Sequence, residues 1–369
     1  MKKALFFITN LAHGGAERVL VNLVNNLDKS KYDVTVRTIF DEGVNKQYLS
    51  SDVHYSSVFP KTFHGIKYIT KFIPAPLLHK LFIRDKYDIE IAYLEGPPAK
   101  IISGADKNIK KLAWIHIELL TQKAFTEGFF NVKDTVKCYK SFNKIVCVSN
   151  SVKETFENIS DIHENIEVKY NTNESEKIKK LAQEDVTDVE FNTDEINICS
   201  VAKIEYSKGY DRLIDLHEKL MDEGLNHHIY VLGIGSEKDK LEKILRQKGL
   251  SKSFTFLGFK ENPYKYVVKC DLYVCSSRRE GFSTAVTEAL ILGVPCVSTN
   301  CSGAYELLGK NNEYGIVTDN NTESLYKGIK ECLSDEKIID YYSQKAKMRG
   351  KTFDTQNTVK EIEKILDAY

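Results

Sequence analysis

Short runs of apolar residues alternate along the chain with segments whose apolar residues recur every three or four positions. The runs at 3–10 and 33–40 have the length and composition of strands, and residues 17–27 between them have the periodicity of an amphipathic helix. Further strand-like runs follow at 88–94, 111–118 and 143–149. This alternation predicts a parallel sheet wrapped by helices, and such sheets bind ligands beyond the carboxyl ends of their strands.

A polar, acidic segment interrupts the alternation after Tyr170, and a second alternation follows it. The strand-like runs of this second part lie at 196–204, 227–235, 254–259, 271–277 and 295–300. The sequence therefore predicts two α/β domains of similar construction, with the ligand between them. We expect an N-terminal domain at 1–170, a linker at 171–195, a C-terminal domain at 196–350 and a terminal helix at 351–369.

Composition and charge narrow the class of protein. The 369 residues contain 52 Lys and Arg against 52 Asp and Glu, but residues 1–170 hold 24 basic and 19 acidic residues, which leaves 28 and 33 for the remainder. The basic half is the one expected to meet an anionic partner. No apolar run approaches the roughly 18 residues of a membrane span, and the apolar run near the start is too short for a signal peptide. We expect a cytoplasmic chain that binds no nucleic acid.

Eight cysteines are too few for a disulfide scaffold in a chain of this length. The suggestive spacings are Cys270 to Cys275 and Cys296 to Cys301. Cys270 and Cys275 flank a strand-like run, and side chains five positions apart on a strand point to opposite faces, so the pair is a poor metal site. We expect buried free thiols.

The segment 276–299 contains the densest group of candidate functional residues. A strand is expected to end at Ser276 or Ser277, and a helix to begin near 282 and to stop at Gly293 and Pro295. The first turn of that helix presents free backbone amides and the positive end of its dipole, which suit a phosphate. Gly281 allows the anion to approach closely.

Glu280 and Glu288 bracket the start of this helix, about 12 Å apart along its axis. The two carboxylates cannot hold one atom at that separation, but they can hold the two ends of a molecule with a diphosphate in its middle. A nucleotide sugar has that form, since carboxylates accept hydrogen bonds from ribose and hexose hydroxyls. The alternative, that both are solvated surface glutamates, stays open on spacing alone.

Cations for a diphosphate are available from a strand end at Lys203 and from Lys208, which precedes a glycine and a helix. Gly14 and Gly15 lie in the first strand-to-helix loop, where they permit a phosphate to approach, and Gly233 and Gly235 form an isolated G-x-G. No D-x-D motif is present. Sugar transfer without an acidic metal clamp would have to neutralise the leaving diphosphate with lysines and helix N-termini.

Together these residues resemble the retaining GT-B glycosyltransferases, especially glycosyltransferase family 4. Residues 280–288 match that family's E-x7-E motif, and residues 256–308 resemble its C-terminal core throughout. The segments at 10–19 and 200–214 are similar to its glycine loop and its basic pair. The segments AWIHIE and KIVCVSNSVKETF look like those of members that build capsule, exopolysaccharide and lipopolysaccharide glycans. The resemblance covers nearly the whole chain.

The resemblance implies two Rossmann-like doubly wound domains that face each other across a cleft, with a terminal helix crossing back to the first domain. It implies that Glu288 binds the ribose and that Glu280 binds a hydroxyl of the donor sugar at the reacting side. The diphosphate would be held by Lys203 and Lys208. At position 203 the family more often has arginine, so this chain offers a point charge without a bidentate fork.

Other positions take their implied roles from the same resemblance. Gly258, Phe259 and Asn262 would lie at the edge of the nucleobase, and amides around Phe282, Ser283 and Thr284 would help to hold the phosphates. Gly15 would lie against the phosphates or the sugar from the other domain. His116, at the end of a strand, resembles a histidine near the reacting sugar, although a satisfied core histidine is the alternative.

The implied activity is transfer of a hexosyl residue, with retention of configuration and without a cofactor or metal, from a UDP-sugar to a glycan acceptor. Retention would proceed by front-face departure and attack, because no carboxylate is placed as an unambiguous nucleophile. A nucleotide-sugar epimerase and a non-catalytic glycan-binding subunit are the alternatives.

Residues 61–86 are the candidate acceptor and membrane segment. They contain six Lys and Arg, one Asp and several apolar residues, divided by Pro74 and Pro76. Two short basic helices in a membrane interface would have this pattern, and so would two helices packed on the domain with a solvated basic face. A peripheral enzyme at the inner face of the membrane, acting on a polyprenyl-diphosphate-linked sugar, fits the first interpretation.

Overall fold

The computed structural model describes residues 1–12, 14–280 and 282–369. The chain divides into two compact units. Unit 1 comprises Met1–Asn173 together with Thr355–Tyr369, and unit 2 comprises Glu174–Asp354. The C-terminal segment of the chain thus belongs to the same unit as the N-terminus.

Unit 1 is built on a parallel sheet, which has seven strands within the described residues. The strands are β1 (Lys2–Ile8), β2 (Tyr32–Phe40), β3 (His54–Phe59), β4 (Ile89–Ala92), β5 (Lys110–Ile115), β6 (Lys144–Cys147) and β7 (Ile166–Val168). Their order across the sheet is β3-β2-β1-β4-β5-β6-β7. The central strands are buried because helices cover both faces of such a sheet.

The helices of unit 1 connect these strands. They are α1 (Gly15–Asn26), α2 (Ile66–Phe72), α3 (Ala75–Phe82), α4 (Pro97–Ile102), α5 (Gln122–Phe125), α6 (Val132–Tyr139) and α7 (Asn150–Ser160). The C-terminal helix of the chain also belongs to this unit. A 3-10 turn covers Val44–Tyr48. The C-terminal helix packs on α1, and its acidic residues pair with lysines that flank the strands, Lys31 with Asp367 at 3.3 Å before β2 and Lys169 with Glu361 at 2.9 Å after β7.

Unit 2 repeats this architecture with a parallel sheet, six-stranded within the described residues. The strands are β8 (Ile196–Val201), β9 (His227–Leu232), β10 (Phe254–Gly258), β11 (Leu272–Cys275), β12 (Cys296–Thr299) and β13 (Ile316–Thr318). Their order is β10-β9-β8-β11-β12-β13. The two sheets confirm the prediction of a doubly wound α/β fold.

The helices of unit 2 begin with α8, inside the segment expected as a linker. They are α8 (Ser175–Leu181), α9 (Tyr210–Asp222), α10 (Lys238–Gln247), α11 (Tyr264–Val267), α12 (Thr284–Leu292), α13 (Ala304–Leu308), α14 (Thr322–Ser334) and α15 (Glu336–Gly350). Two 3-10 turns cover Tyr206–Lys208 and Lys351–Phe353, and the C-terminal helix of unit 1 is α16 (Thr355–Asp367). No helix in the described part of the chain is long and apolar enough to span a membrane.

Each sheet has one point at which the order of its strands reverses. In unit 1 the reversal lies between β1 and β4, and in unit 2 it lies between β8 and β11. The loops that follow such a pair of strands diverge and leave a crevice, which is the usual ligand site in open α/β sheets. The loops after β1, β4, β8 and β11 are therefore the expected positions of functional residues.

A buried chain of hydrogen bonds links two histidines in unit 2, away from those loops. His227 Nδ1 lies 2.7 Å from the Leu225 carbonyl, His217 Nδ1 lies 2.7 Å from His227 Nε2, and Ser253 Oγ lies 2.9 Å from His217 Nε2. Since the carbonyl can only accept, His227 donates from Nδ1, His217 donates from Nδ1 and Ser253 donates its hydroxyl proton. Both imidazoles are neutral in this arrangement.

Acid should therefore destabilise the protein through this histidine chain. Burial lowers the pKa of His217 to about 3 and also lowers the pKa of His227. The unfolded chain takes up protons on both residues as the pH falls below about 6.5, whereas the folded chain does not, so stability falls by about 1–3 kcal/mol per pH unit. Denaturant unfolding between pH 7 and 4 measures this slope.

His217→Asn is the variant that tests the assignment, because its amide nitrogen takes the place of Nδ1 and can still donate to His227 Nε2. We expect a smaller decrease of stability on acidification in His217→Asn, and an unchanged decrease in the control His64→Asn, which removes an exposed histidine of unit 1. Equal slopes for wild type and His217→Asn would show that the buried pair does not control the acid response.

Candidate functional site

An ion pair lies at the point where the strand order of unit 2 reverses. Lys208 follows β8 and Glu280 follows β11, and the Lys208 ammonium lies 2.7 Å from Glu280 Oε1. Ser277 Oγ donates to the same carboxylate oxygen at 2.6 Å. Both charged side chains are mostly buried, with 21% and 15% of their surface exposed. The lysine expected to bind the diphosphate and the glutamate expected to bind the donor sugar are thus in direct contact.

A close approach of two loops makes this contact possible. Gly209 has φ +70°, and a Cβ there would lie 2.1 Å from the Ser276 carbonyl oxygen, so only glycine fits. Ser276 Oγ donates to the Lys208 carbonyl at 2.8 Å, and the Arg278 amide donates to the Ser207 carbonyl at 2.7 Å. The loop before α9 is therefore fixed against the loop after β11.

Arg278 reinforces the same junction. Its guanidinium makes a bidentate pair with Asp211, with both distances 2.7 Å, and lies 4.0 Å from the centre of the Tyr206 ring. The Arg278 pair also holds the pKa of Asp211 below its usual value despite burial. Because the Arg278 guanidinium is bound to Asp211, Lys208 is the cation of this junction that faces Glu280.

The N-terminus of α12 follows Glu280. Ser283 is the N-cap, and its side chain accepts from the Val286 amide, while Thr284 is the first helical residue. The backbone amides of the first turn have no acceptor within the helix, and they point outward along the helix axis. Phe282 is buried, with its ring 6.2 Å from that of Phe353. Gly281 lies outside the described residues.

Glu288 lies one turn further along α12. Tyr264 donates its hydroxyl to Glu288 Oε1 at 2.9 Å, which orients the carboxylate. Asn262 donates to the Leu181 carbonyl at 2.8 Å and to Glu184 at 2.9 Å, so its side chain ties the loop to α8. Gly258 ends β10 with φ +74°, and the Phe259 ring next to it is 67% exposed.

Lys203 differs from Lys208 in its surroundings. Lys203 is exposed in the loop after β8. The glycines at 233 and 235 let the neighbouring loop approach this one, since a Cβ on Gly233 would lie 1.9 Å from the Ala202 carbonyl and one on Gly235 would lie 2.2 Å from the Ile204 carbonyl. The isolated G-x-G thus shapes the loop that carries Lys203.

The glycine loop of unit 1 follows β1. Gly14 caps α1, and a Cβ there would collide with the Glu17 carboxylate, which folds back over the start of the helix. Burial raises the pKa of Glu17. A Cβ on Gly15 would meet nothing within 4 Å, so this position is open.

His116 directly follows β5 and is 8% exposed, with its ring 4.8 Å from the ring of Tyr93. Burial lowers the pKa of His116 to about 3, so the imidazole is neutral at physiological pH. Its Nε2 is buried and has no hydrogen-bond partner among the described residues. A neutral imidazole can donate or accept one hydrogen bond, but it supplies no positive charge.

Glu95 is a candidate that the sequence reasoning missed. It follows β4, and its Oε2 accepts the His116 backbone amide at 3.1 Å. Burial, together with the nearby Glu127 and Glu17 carboxylates, raises the pKa of Glu95 to about 7, although the amide hydrogen bond opposes this shift. A carboxyl that titrates near neutral pH beside a strand reversal is typical of functional sites.

The segment 61–86 forms α2 and α3, and Pro76 lies inside the first turn of α3 rather than between the helices. Some of its apolar side chains pack on the domain and others are exposed. The inward side chains are buried, and His79 Nε2 lies 2.7 Å from the buried carboxylate of Glu90. The outward side chains Tyr68, Phe72, Leu77 and Leu81 are 49–71% exposed.

Two protein-family models match the chain. The model for "Glycosyl transferases group 1" matches residues 182–349, and the model for "Glycosyltransferase Family 4" matches residues 13–172. The first match contains Lys203, Lys208, Glu280 and Glu288, and the second contains His116.

Relatives with named activities align with almost the whole chain. The N-acetylgalactosamine-N,N'-diacetylbacillosaminyl-diphospho-undecaprenol 4-alpha-N-acetylgalactosaminyltransferase of Campylobacter jejuni is 26% identical over 99% of this chain and 100% of its own. The lipopolysaccharide core biosynthesis glycosyltransferase LpsE of Rhizobium meliloti is 22% identical over 88% and 87%. The crystal structure of Anabaena Alr3699/HepE in complex with UDP and glucose superimposes over 100% of both chains with a TM-score of 0.75 and 19% identity.

These findings confirm the predicted GT-B fold. The chain is a glycosyltransferase with the two domains of that fold, and one of its relatives, LpsE, is named for lipopolysaccharide core biosynthesis.

Proposed function

We propose that this chain is a retaining transferase of glycosyltransferase family 4, which moves a hexosyl residue from a UDP-sugar to a lipid-linked glycan in the synthesis of a bacterial surface polysaccharide. The observation that carries the proposal is the Lys208–Glu280 pair at the strand reversal of unit 2, beside the N-terminus of α12. A cation, a carboxylate and free helical amides at one crevice suit an anionic, hydroxyl-rich donor.

Departure of the nucleoside diphosphate is the step that most needs stabilisation, since negative charge develops on the leaving phosphate. Lys208 and the amides around Phe282, Ser283 and Thr284 supply hydrogen-bond donors and positive potential for that charge. The exposed Lys203 can turn toward the same phosphates. Transfer that relies on these groups proceeds without a metal ion.

The two glutamates bind the parts of the donor on either side of the diphosphate. Glu288, oriented by Tyr264, accepts hydrogen bonds from the ribose, and the exposed Phe259 ring at Gly258 offers a surface against the base. Glu280 accepts from a sugar hydroxyl, with Ser277 and Lys208 fixing the direction of its carboxylate. Asn262 contributes by holding the loop, because its amide is engaged with α8.

Unit 1 supplies the groups on the acceptor side. Gly15 leaves room for the sugar or phosphates, the Glu17 carboxylate fills the space over Gly14, and the neutral His116 offers one uncharged hydrogen-bonding nitrogen. Glu95 holds the backbone of His116 and adds a carboxyl that titrates near neutrality. Front-face attack fits this set, since the leaving diphosphate can take the acceptor proton and no nucleophilic carboxylate is required.

A lipid-linked acceptor and a peripheral position at the cytoplasmic face of the membrane fit the segment 61–86. Its helices expose aromatic and aliphatic side chains next to lysines, and the exposed ring of Phe130 lies 6.1 Å from that of Phe72. Such a surface binds the interface of an anionic membrane. The undecaprenol-linked substrate in the name of the Campylobacter jejuni relative supports the same class of acceptor.

Nucleotide binding tests the donor. UDP and UDP-hexoses at about 100 times their dissociation constant should stabilise the protein by about 2.7 kcal/mol, because the folded chain alone binds them. GDP and ADP at equal concentrations are the matched controls, and thermal unfolding is the measurement. No stabilisation by UDP or its sugars would contradict the proposal.

Product analysis tests the reaction. With a UDP-hexose and a short polyprenyl-diphosphate-linked sugar, a glycosidic bond of the donor's anomeric configuration should form only when the acceptor is present. Interconversion of free nucleotide sugars without acceptor would indicate an epimerase, and binding of the glycan without turnover would indicate a non-catalytic subunit.

A further inference from the structure

A buried arginine lies beside the strand reversal of unit 2. Arg212 is in the first turn of α9 and is 5% exposed. A Cβ on Gly209 would lie 2.9 Å from the Arg212 Nε, so the guanidinium lies against the loop that carries Lys208. This Nε is buried and has no hydrogen-bond partner among the described residues. A positive charge is thus enclosed at the carboxyl edge of the sheet.

The surroundings of Arg212 are unfavourable for a charge. The neighbouring Asp211 carboxylate is bound in bidentate fashion by Arg278, and Arg212 forms no ion pair within the described part of the chain. Burial and the charge of Arg278 lower the pKa of Arg212, and Asp211 opposes this shift. Burying a charge without a bonded counter-charge costs stability, and an apolar side chain would fill the space at lower cost. Packing alone therefore does not account for this arginine.

The hydrogen-bond partner of Arg212 is Asn320, which is exposed on the loop after β13. Arg212 Nη1 donates to Asn320 Oδ1 at 2.9 Å. Asn320 Nδ2 donates in turn to the Arg278 carbonyl at 3.0 Å and to the Asn300 carbonyl at 3.4 Å. Because a guanidinium can only donate, it holds the amide oxygen toward itself and directs the amide nitrogen at the two carbonyls.

The order of the strands brings these four residues together. The strands β8, β11, β12 and β13 are consecutive in the sheet. Arg212 lies in the helix after β8, Arg278 follows β11, Asn300 follows β12 and Asn320 follows β13. Since the carboxyl ends of parallel strands lie at one edge of a sheet, the contact between Arg212 and Asn320 joins segments that follow four neighbouring strands.

The loop that Asn320 holds also carries Glu280. Arg278, whose carbonyl accepts from Asn320, lies two residues before Glu280. We propose that Arg212 and Asn320 are positioning residues of the donor site, which set the place of the Glu280 carboxylate against the donor sugar. This inference rests on the proposed function and assigns to it two residues that contact neither the Lys208 ammonium nor the Glu280 carboxylate.

Loss of this hydrogen-bonded link should affect the sugar more than the nucleotide. Without the Arg212 donor the Asn320 amide is no longer oriented, and the loop after β11 gains freedom. Misplacement of a positioned group by about 1 Å costs up to about 100-fold in rate. The bidentate pair of Arg278 with Asp211 still restrains the loop, so we expect a fall in kcat of about tenfold. UDP lacks the hexose that Glu280 binds, so its dissociation constant should change less than about twofold.

Arg212→Lys is the first variant, because lysine keeps the charge and loses the planar fork. Steady-state kcat with saturating substrates and calorimetric binding of UDP measure the two effects. The matched control is Arg349→Lys, at an arginine of α15 whose Nε donates to the Leu307 carbonyl at 3.1 Å, and it should leave both values unchanged. A wild-type kcat in Arg212→Lys, or a loss of UDP affinity as large as the loss of kcat, would overturn the proposal.

Asn320→Ala removes the other half of the link at an exposed position, where folding should be retained. We expect the same fall in kcat of about tenfold. The double variant of Arg212→Lys with Asn320→Ala should lose no more than either single variant, because residues that act through one contact are not additive. Losses that multiply to about 100-fold in the double variant would show that the two residues act separately.

Hydrogen exchange distinguishes failure of this inference from failure of the proposed function. The Arg278 amide donates to the Ser207 carbonyl at 2.7 Å, so its exchange rate reports how firmly the loop is held without any nucleotide or acceptor. Exchange of that amide should be about tenfold faster in Arg212→Lys and in Asn320→Ala than in wild type. Unchanged exchange would overturn the positioning role, whereas a wild-type enzyme that neither binds UDP nor transfers sugar would contradict the proposed function.

Discussion

Replacing Lys208 with alanine is expected to lower kcat/KM for the nucleotide-sugar donor by about 100- to 1,000-fold, as loss of one preorganised charge at a developing anion does in other enzymes. The substitution removes the cation that lies 2.7 Å from Glu280. It also leaves the mostly buried Glu280 carboxylate facing the donor phosphates without its counter-charge, which adds repulsion to the lost attraction. Steady-state kinetics with saturating acceptor measures the effect.

Lys248→Ala is the matched control. It removes the same charge from an ion pair between Lys248, which follows α10, and Glu218 of α9, and neither residue belongs to the strand reversal. We expect less than about a twofold change in kcat/KM and at most about 1 kcal/mol of lost stability in that control. A Lys208→Ala enzyme with wild-type kcat/KM would show that the Lys208–Glu280 pair serves only to join two loops.

The core of the fold follows from the sequence, but its edges do not. The strands β1, β2, β8 and β9 are predicted within one to three residues of their bounds, since central parallel strands are continuous apolar runs. The edge strands β3, β7 and β13 are absent from the prediction. His54–Phe59 contains the polar residues His54, Ser56 and Ser57, and Ile166–Val168 is only three residues long, so neither has the pattern of a buried strand.

Sequence also cannot distinguish residues of the same type by their contacts. Lys203 and Lys208 both follow β8 and look equivalent in the sequence, yet one is exposed and the other pairs with Glu280. That difference depends on a loop after β11, about 70 residues away in the chain, which Gly209 allows to approach. Contacts between residues so far apart in sequence can be assigned only when the order of the strands in the sheet is known.

Glu95 was missed for the same reason. It follows a strand of ordinary pattern, and no motif marks it. Glu95 becomes conspicuous because β4 and β5 are neighbours, which places its carboxylate on the His116 amide. The pairing of parallel strands, and not local sequence, creates the chemistry here.

Replacing Glu95 with glutamine should stabilise the protein at alkaline pH and impair the enzyme. Between pH of about 4.5 and 7 the unfolded chain ionises this carboxyl while the folded chain keeps its proton, so stability falls as the pH rises through that range. Glutamine can still accept the His116 amide but carries no charge to bury. Allowing for partial exposure, we expect Glu95→Gln to be more stable than wild type by about 1–2 kcal/mol near pH 8.

Denaturant unfolding at several pH values, together with kcat over the same range, reads both effects. Stability of Glu95→Gln should depend less on pH than that of wild type, whereas Glu154→Gln, at an exposed site on α7, should follow wild type. A fall in kcat of about tenfold or more alongside increased stability would mark a carboxyl retained for function at a cost in stability. Identical pH slopes for wild type and Glu95→Gln would instead mean that this carboxyl is ionised in the folded protein, because only a shifted pKa links its proton to folding.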